Sequence, residues 1–256
     1  MKLLNISILV LFCVCAVCYA LEQNDEAIVG VWLLDGNYDD ASGNGNDATE
    51  NGSFKFEAGK FGQAVVAGGG GSIDVQDSDS IRSISDGLTV AAWFRVDADS
   101  DTGIRKNGAY LLEDQSGGEP VPDGFSFRVW TSQGITPGFY GQTELEQKKW
   151  YHVAGTYDGK IVEMYVDGKP ESEQGALSDA KANWTPEWGG KVAAAGVLQL
   201  KFGSETFHGG IDEIVLLNRA LEADEIKQLL NGWEDAFDVE PKGKLATTWG
   251  RIKINR

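Results

Sequence analysis

The sequence predicts an all-β protein built as a two-layer antiparallel sandwich, and three observations carry that reading. First, two segments alternate with a period of two, the mark of a strand with one core face. In Leu88–Val96, Leu88, Val90, Ala92, Phe94 and Val96 share one face, and Thr89, Ala91, Trp93 and Arg95 the other. In Phe125–Thr131, Phe125, Phe127 and Val129 face one way, and Ser126, Arg128 and Trp130 the other. Second, Trp150–Tyr157 and Lys160–Val166 flank Asp158-Gly159, the strongest short hairpin signal. Third, Ile211–Leu217 ends in the unbroken apolar run Ile214–Leu217, which suggests a strand covered on both faces.

The elements follow in order. Met1–Ala20 reads as a secretory signal segment, with Lys2 as the positive start, an apolar stretch from Leu3 to Val17 and a tolerable cleavage site at Cys18-Tyr19-Ala20. Lipidation at Cys18 is a weaker reading, because Cys15-Ala16-Val17 lacks the expected leucine. Cys13, Cys15 and Cys18 all lie in this segment, so a chain cleaved after Ala20 has no cysteine and no disulfide. Cleavage also removes Lys2 and no acid, which takes the formal charge from -17 to -18. Residues 21–232 then form one domain, and 233–256 a tail, expected to be disordered. Ile28–Leu34 is the first strand, followed by the turn-rich acidic stretch Asp35–Thr49. The four glycines Gly68–Gly71 have no lysine or helix after them, which rules against a phosphate loop. Asp97–Gly108 and Gly117–Gly124 read as polar loops, Gly175–Ala195 as an irregular insertion, and Val197–Gly203 as a further strand. After Leu217 comes a short helix in which Ala223, Ile226, Leu229 and Leu230 form one apolar stripe, stopped by Asn231-Gly232.

Charge narrows the partners. A formal charge of -17 argues against nucleic acid and anionic membrane surfaces, both polyanions. No G-x-S-x-G or H-E-x-x-H occurs, and His152 and His208 are the only histidines.

Several strings resemble laminin-G-like, concanavalin A-like jelly-roll domains. They are G-G-I-D-E-I (209–214), N-R-A-L with A-D-E-I after it (218–226), D-A-S-G-N-G (40–45), G-K-F-G-Q-A (59–64) and the W-Y-H-V-A-G-T-Y-D-G-K hairpin (150–160). The resemblance runs from about Ile28 to Gly232. It departs at Glu222, a poor N-cap where Ser or Thr is expected. It implies a concanavalin A-like jelly roll with one short C-terminal helix, acting outside the cell or at its surface as a non-catalytic module that binds glycan or an extracellular protein. The rivals are a divergent glycoside hydrolase or lyase and a purely structural adhesion module. Glycosidases need two facing carboxylates. Here Asp212 and Glu213 are sequence neighbours on opposite faces, and Glu163 stands alone on its strand, so an enzyme is disfavoured.

Two candidate sites follow. Calcium takes several oxygen ligands, and the Asp35–Asp47 loop is rich in them. The resemblance implies that the first and last strands are neighbours, which brings this loop near Asp212. Calcium is therefore expected on Asp40 and Asp212, with Asp35 or a nearby carbonyl; the alternative is that backbone amides satisfy these carboxylates. For sugars, Trp93 and Trp130 stand on the polar faces of their strands beside Arg95 and Arg128. If the two strands are neighbours, the four residues form a stacking and hydrogen-bonding platform; otherwise loops cover both tryptophans.

Overall fold

The computed structural model describes residues 20–68, 71–97, 103–106, 108–115, 124–135, 139–171, 190–193, 200–202 and 208–236. The signal segment before Ala20, the tail beyond Ala236, most of the 175–195 insertion and the start of the 197–203 strand lie outside the described residues. In chain order the strands are β1 (Ile28–Trp32), β2 (Ala48–Gly52), β3 (Lys55–Ala58), β4 (Gln63–Gly68), β5 (Gly71–Val75), β6 (Leu88–Val96), β7 (Ile104–Lys106), β8 (Tyr110–Gln115), β9 (Gly124–Thr131), β10 (Gly134–Ile135), β11 (Phe139–Tyr140), β12 (Trp150–Tyr157), β13 (Val162–Val166), β14 (Lys169–Pro170), β15 (Leu200–Phe202) and β16 (His208–Leu217). The helices are α1 (Asp79–Arg82), α2 (Ala223–Gln228) and α3 (Trp233–Ala236), with a 3-10 turn over Leu229–Asn231.

Two antiparallel sheets result. The first runs β14-β13-β12-β6-β16-β4-β3, with β1 beside β16; the second runs β10-β9-β8-β7-β15-β5-β2, with β11 beside β9. Alternation puts Val90 and Phe94 of β6, and Phe127 and Val129 of β9, into one core between the layers. The Phe94 and Phe125 rings meet across it at 5.6 Å between centroids, and Tyr151 closes on Phe125 at 6.0 Å. This is the jelly-roll sandwich expected from the period-two pattern.

Strand β16 is buried on both faces, as its apolar run predicts. Ile214 and Leu216 enter the core between the sheets, whereas Val215 and Leu217 enter a second core on the outer face of the first sheet. Leu21, Ile226, Leu229 and Trp233 roof that second core. Its N-terminal partner matters: the Leu21 amide donates to Gln228 Oε1 at 2.9 Å.

Three sequence expectations shift. Trp233–Ala236 is helical, and Trp233 is buried, so the domain runs past Gly232. The 97–108 stretch holds strand β7, with Ile104 in the core. The hairpin register pairs Tyr157 with Val162, which moves the turn tip to Gly159-Lys160, while Asp158 Oδ1 accepts the Lys160 and Ile161 amides.

Candidate functional site

The outer face of the first sheet is closed by the chain itself. His152, Trp93 and Asp212 are direct cross-strand neighbours on β12, β6 and β16, so they share this face. Trp93 is 5% exposed. His152 packs at 5.4 Å and Phe61 at 6.0 Å, each edge to face, and Lys60 Nζ sits 4.1 Å from the Trp93 ring centroid. Lys60 and Phe61 belong to the 59–62 turn between β3 and β4, which Asp212 fixes by accepting the Lys60 amide at 2.8 Å and the Phe61 amide at 3.0 Å. The turn needs its glycines. A Cβ on Gly59 would lie 2.6 Å from Asp212 Oδ2, and Gly62 has φ +39° with the Asp35 carboxylate against it.

The two acids of the I-D-E-I string are both buried, and a bulge explains how. Asp212 pairs with Trp93 and Val215 with Ala91, so Glu213 and Ile214 together stand opposite Ala92. Glu213 takes φ +52° as the extra residue and accepts the Trp233 amide at 2.6 Å. Burial pushes Asp212 up to about 7, against the pull of the Phe61 and Lys60 amides, and pushes Glu213 up to about 7, against the Trp233 amide. Burial pushes His152 down to about 3. Trp93 Nε1, His152 Nδ1 and Asp212 Oδ1 are buried without a hydrogen-bond partner.

The residues expected to hold calcium act as amide acceptors. Asp40 Oδ1 accepts from Val31 and Ser42, and Asp40 Oδ2 from Asn46, which folds the D-A-S-G-N-G turn onto β1. Asn44 and Asn46 complete that turn by donating to the Val29 carbonyl. Asp35 accepts from the Gln63 amide and stands close enough to Asp212 to raise its proton affinity. Asp35 and Asp212 thus converge on the 59–63 turn, while both carboxylate oxygens of Asp40 serve its own turn and β1. Among the described residues no group of three or more His, Cys, Asp and Glu side chains is placed to hold a metal ion.

The four-residue platform is divided between the sheets. Trp93 and Arg95 lie on β6 in the first sheet; Arg128 and Trp130 lie on β9 in the second. Both pairs point away from the shared core, so they stand on opposite outer faces of the sandwich. Arg95 is engaged locally, in a bidentate pair with Asp97 at 2.8 Å, with its guanidinium 5.4 Å from the Trp150 ring centroid.

The second sheet presents a different outer face. Its register runs Arg128↔Leu111 across β9 and β8, Leu111↔Arg105 into β7, Arg105↔Lys201 into β15 and Lys201↔Asp74 into β5. Arg128, Trp130, Leu111 and Arg105 are all half-buried. One step along, Ser126 donates to Glu113 Oε1 at 3.0 Å, and both are buried. Lys106 turns the other way and reaches the buried Asp77 carboxylate at 3.4 Å. Arg105 and Leu111 had no signal in the sequence, since β7 and β8 fall in or beside a stretch that reads as polar loop.

The profile of the concanavalin A-like lectin/glucanases superfamily matches residues 67–227, more than half of the 256-residue chain. The chain belongs to that superfamily. Among solved structures, domain 4 of an extracellular GH43 arabinanase from Geobacillus stearothermophilus, in complex with arabinotriose, is similar at TM-score 0.59 and 19% identity, over 79% of this chain and 98% of that domain. The binding domain of Paraclostridial Mosquitocidal Protein 1 is similar at TM-score 0.58 and 15% identity, over 82% of this chain and 53% of that one. The binding domain of botulinum neurotoxin DC, in complex with rat synaptotagmin II, is similar at TM-score 0.58 and 14% identity, over 82% of this chain and 52% of that one. This chain thus spans about half the length of the toxin domains. At these identities the likeness is one of fold. No curated protein matches the chain by sequence.

Proposed function

We propose that the chain is an exported, non-catalytic recognition domain that binds glycan on the outer face of its second sheet. The observation that carries this is the contrast between the two outer faces. The first is covered by the α2–α3 roof and the 59–62 turn, and its acids are committed to backbone amides. The second sets a half-buried tryptophan and one arginine on β9 and a second arginine on β7, on either side of β8. An indole plane stacks on the C–H face of a sugar, and guanidinium groups donate to its hydroxyls. The likeness to an arabinanase domain crystallised with arabinotriose supports the sugar reading, because this chain covers 98% of that domain.

A domain start at Leu21 is supported by Leu21 itself, which is buried in the second core and bonded to Gln228. Among the described residues no helix is long and apolar enough to cross a membrane. A glycan array probed with the wild-type chain and Trp130→Ala, each with calcium and with chelator, tests the proposal. Glycan binding that Trp130→Ala abolishes in a folded protein is the expected result. Wild-type binding that Trp130→Ala leaves intact removes this face, and loss in chelator makes calcium part of the site.

A further inference from the structure

We infer that the glycan is anionic and that Arg105 holds its charge, an assignment that rests on the glycan reading above. Among the described residues the Arg105 side chain has no hydrogen-bond, ion-pair or ring partner, and its Nε is buried. That is unusual here for two reasons. The chain carries 39 acidic against 22 basic side chains, so a carboxylate is the commonest neighbour a guanidinium could find. The other described arginines with ion pairs, Arg82, Arg95 and Arg219, each use them on Asp or Glu. A half-buried guanidinium left without an acceptor loses hydration and gains nothing for it.

Its neighbours point the same way. Lys201 stands opposite Arg105 in the β15–β7 register, and Arg128 stands one strand beyond on the other side, across Leu111. Three adjacent pairings therefore bring Arg105 and Arg128 into one row, with position 201 next in backbone register. Arg105 and Arg128 are about 10 Å apart across the intervening strand, from the ordinary spacing of strands. Leu111 supplies an apolar floor between them, and Trp130 lies one step along β9 from the same row. An apolar floor with a guanidinium fork beside it fits a sugar ring that bears an oxyanion, because the fork pairs bidentately with carboxylate or sulfate while the ring's C–H face rests on Leu111. Polyanions in general are disfavoured by the net charge of -17, so the selectivity lies in this short-range contact.

The test is an array of matched neutral, uronic-acid-bearing and sulfated oligosaccharides, read with wild type, Arg105→Ala and Arg105→Lys. Melting temperature checks that each variant is folded. The expected result is wild-type binding to one of the anionic sets, weakened roughly 10–100-fold by Arg105→Ala, the range for one hydrogen-bonded charge contact. Arg105→Lys restores part of it, since lysine keeps the charge and loses the fork. The uronic and sulfated arms say which oxyanion is held. Binding confined to neutral glycans, or anionic binding that Arg105→Ala leaves unchanged, overturns the assignment and leaves the glycan reading standing. No binding to any glycan overturns both.

Discussion

The Glu213 carboxylate accepts a 2.6 Å hydrogen bond from the Trp233 amide twenty residues away, and so ties the bulge in β16 to the start of α3. Residues after Gly232 are thereby part of the domain. Trp233→Ala is expected to cost roughly 3–5 kcal/mol, the range for truncating a buried aromatic side chain, measured as a fall in the urea midpoint at constant m. A change within error would mean that the roof over the second core is dispensable.

Asp212 and Glu213 titrate near pH 7 when folded and near pH 4 when unfolded. Between those values the folded chain binds more protons, so these groups make stability fall as pH rises from about 4 to about 7. His152 acts in the opposite sense: its folded value of about 3 lies below its unfolded value of about 6.5, so its contribution rises with pH over the same window. Asp212→Asn keeps an oxygen for the Lys60 and Phe61 amides but cannot ionise. Its melting temperature should fall less than the wild type's between about pH 4 and pH 7, by the same linkage. Parallel curves for the two proteins would show that Asp212 is not protonated in the folded state.

Arg219 joins three parts of the chain. It pairs with Asp25 at 2.6 Å and with Glu225 at 2.7 Å, and the Glu225 carboxylate also accepts the Glu222 amide at 2.8 Å. Glu225 thereby closes a capping box with Glu222 at the start of helix α2, although Glu is a poor N-cap residue by type. The Glu225 side chain is 2% exposed, so Arg219→Ala leaves a buried charge without its partner. The expected cost is roughly 2–3 kcal/mol, below the full range for a buried pair because the guanidinium is one-third exposed. Adding Glu225→Gln to the same protein should recover part of it, and additive losses in the double variant would deny the coupling.

Trp93 and Trp130 look alike in sequence and separate in the structure. Trp93 is buried under Lys60 and Phe61, so Trp93→Ala should destabilise by roughly 3–5 kcal/mol. Trp130 is half-buried on the other sheet, so Trp130→Ala should cost about 1–2 kcal/mol less, in proportion to the smaller area removed from water. Chemical denaturation of the two variants side by side reads this; equal losses would contradict it.

Much of the fold was legible because its signals are local. The alternation of β6 and β9, the double burial of Ile214–Leu217 and the stripe on α2 are each written in a dozen residues or fewer. What escaped was short or interrupted. Strand β7 has three residues, two of them basic, and its Lys106 is buried only because Asp77 lies opposite. Nothing in a three-residue window reports that pairing. The bulge at Glu213 was equally hidden. Strict alternation separates Asp212 from Glu213, and only the pairing with β6 shows the extra residue.

By itself, the sequence determined the long strands, their buried faces, the closing segment and the superfamily, because periodicity and turn chemistry act over a few residues. Tertiary structure alone decided which sheet each strand joins. That choice put Trp93 under the chain's own turn, Trp130 on the opposite face, and Arg105 in line with Arg128. A strand's pattern says that one side is apolar. Which neighbour lies across the hydrogen bonds is set by long-range pairing, and a surface made from several strands exists only after that pairing is fixed.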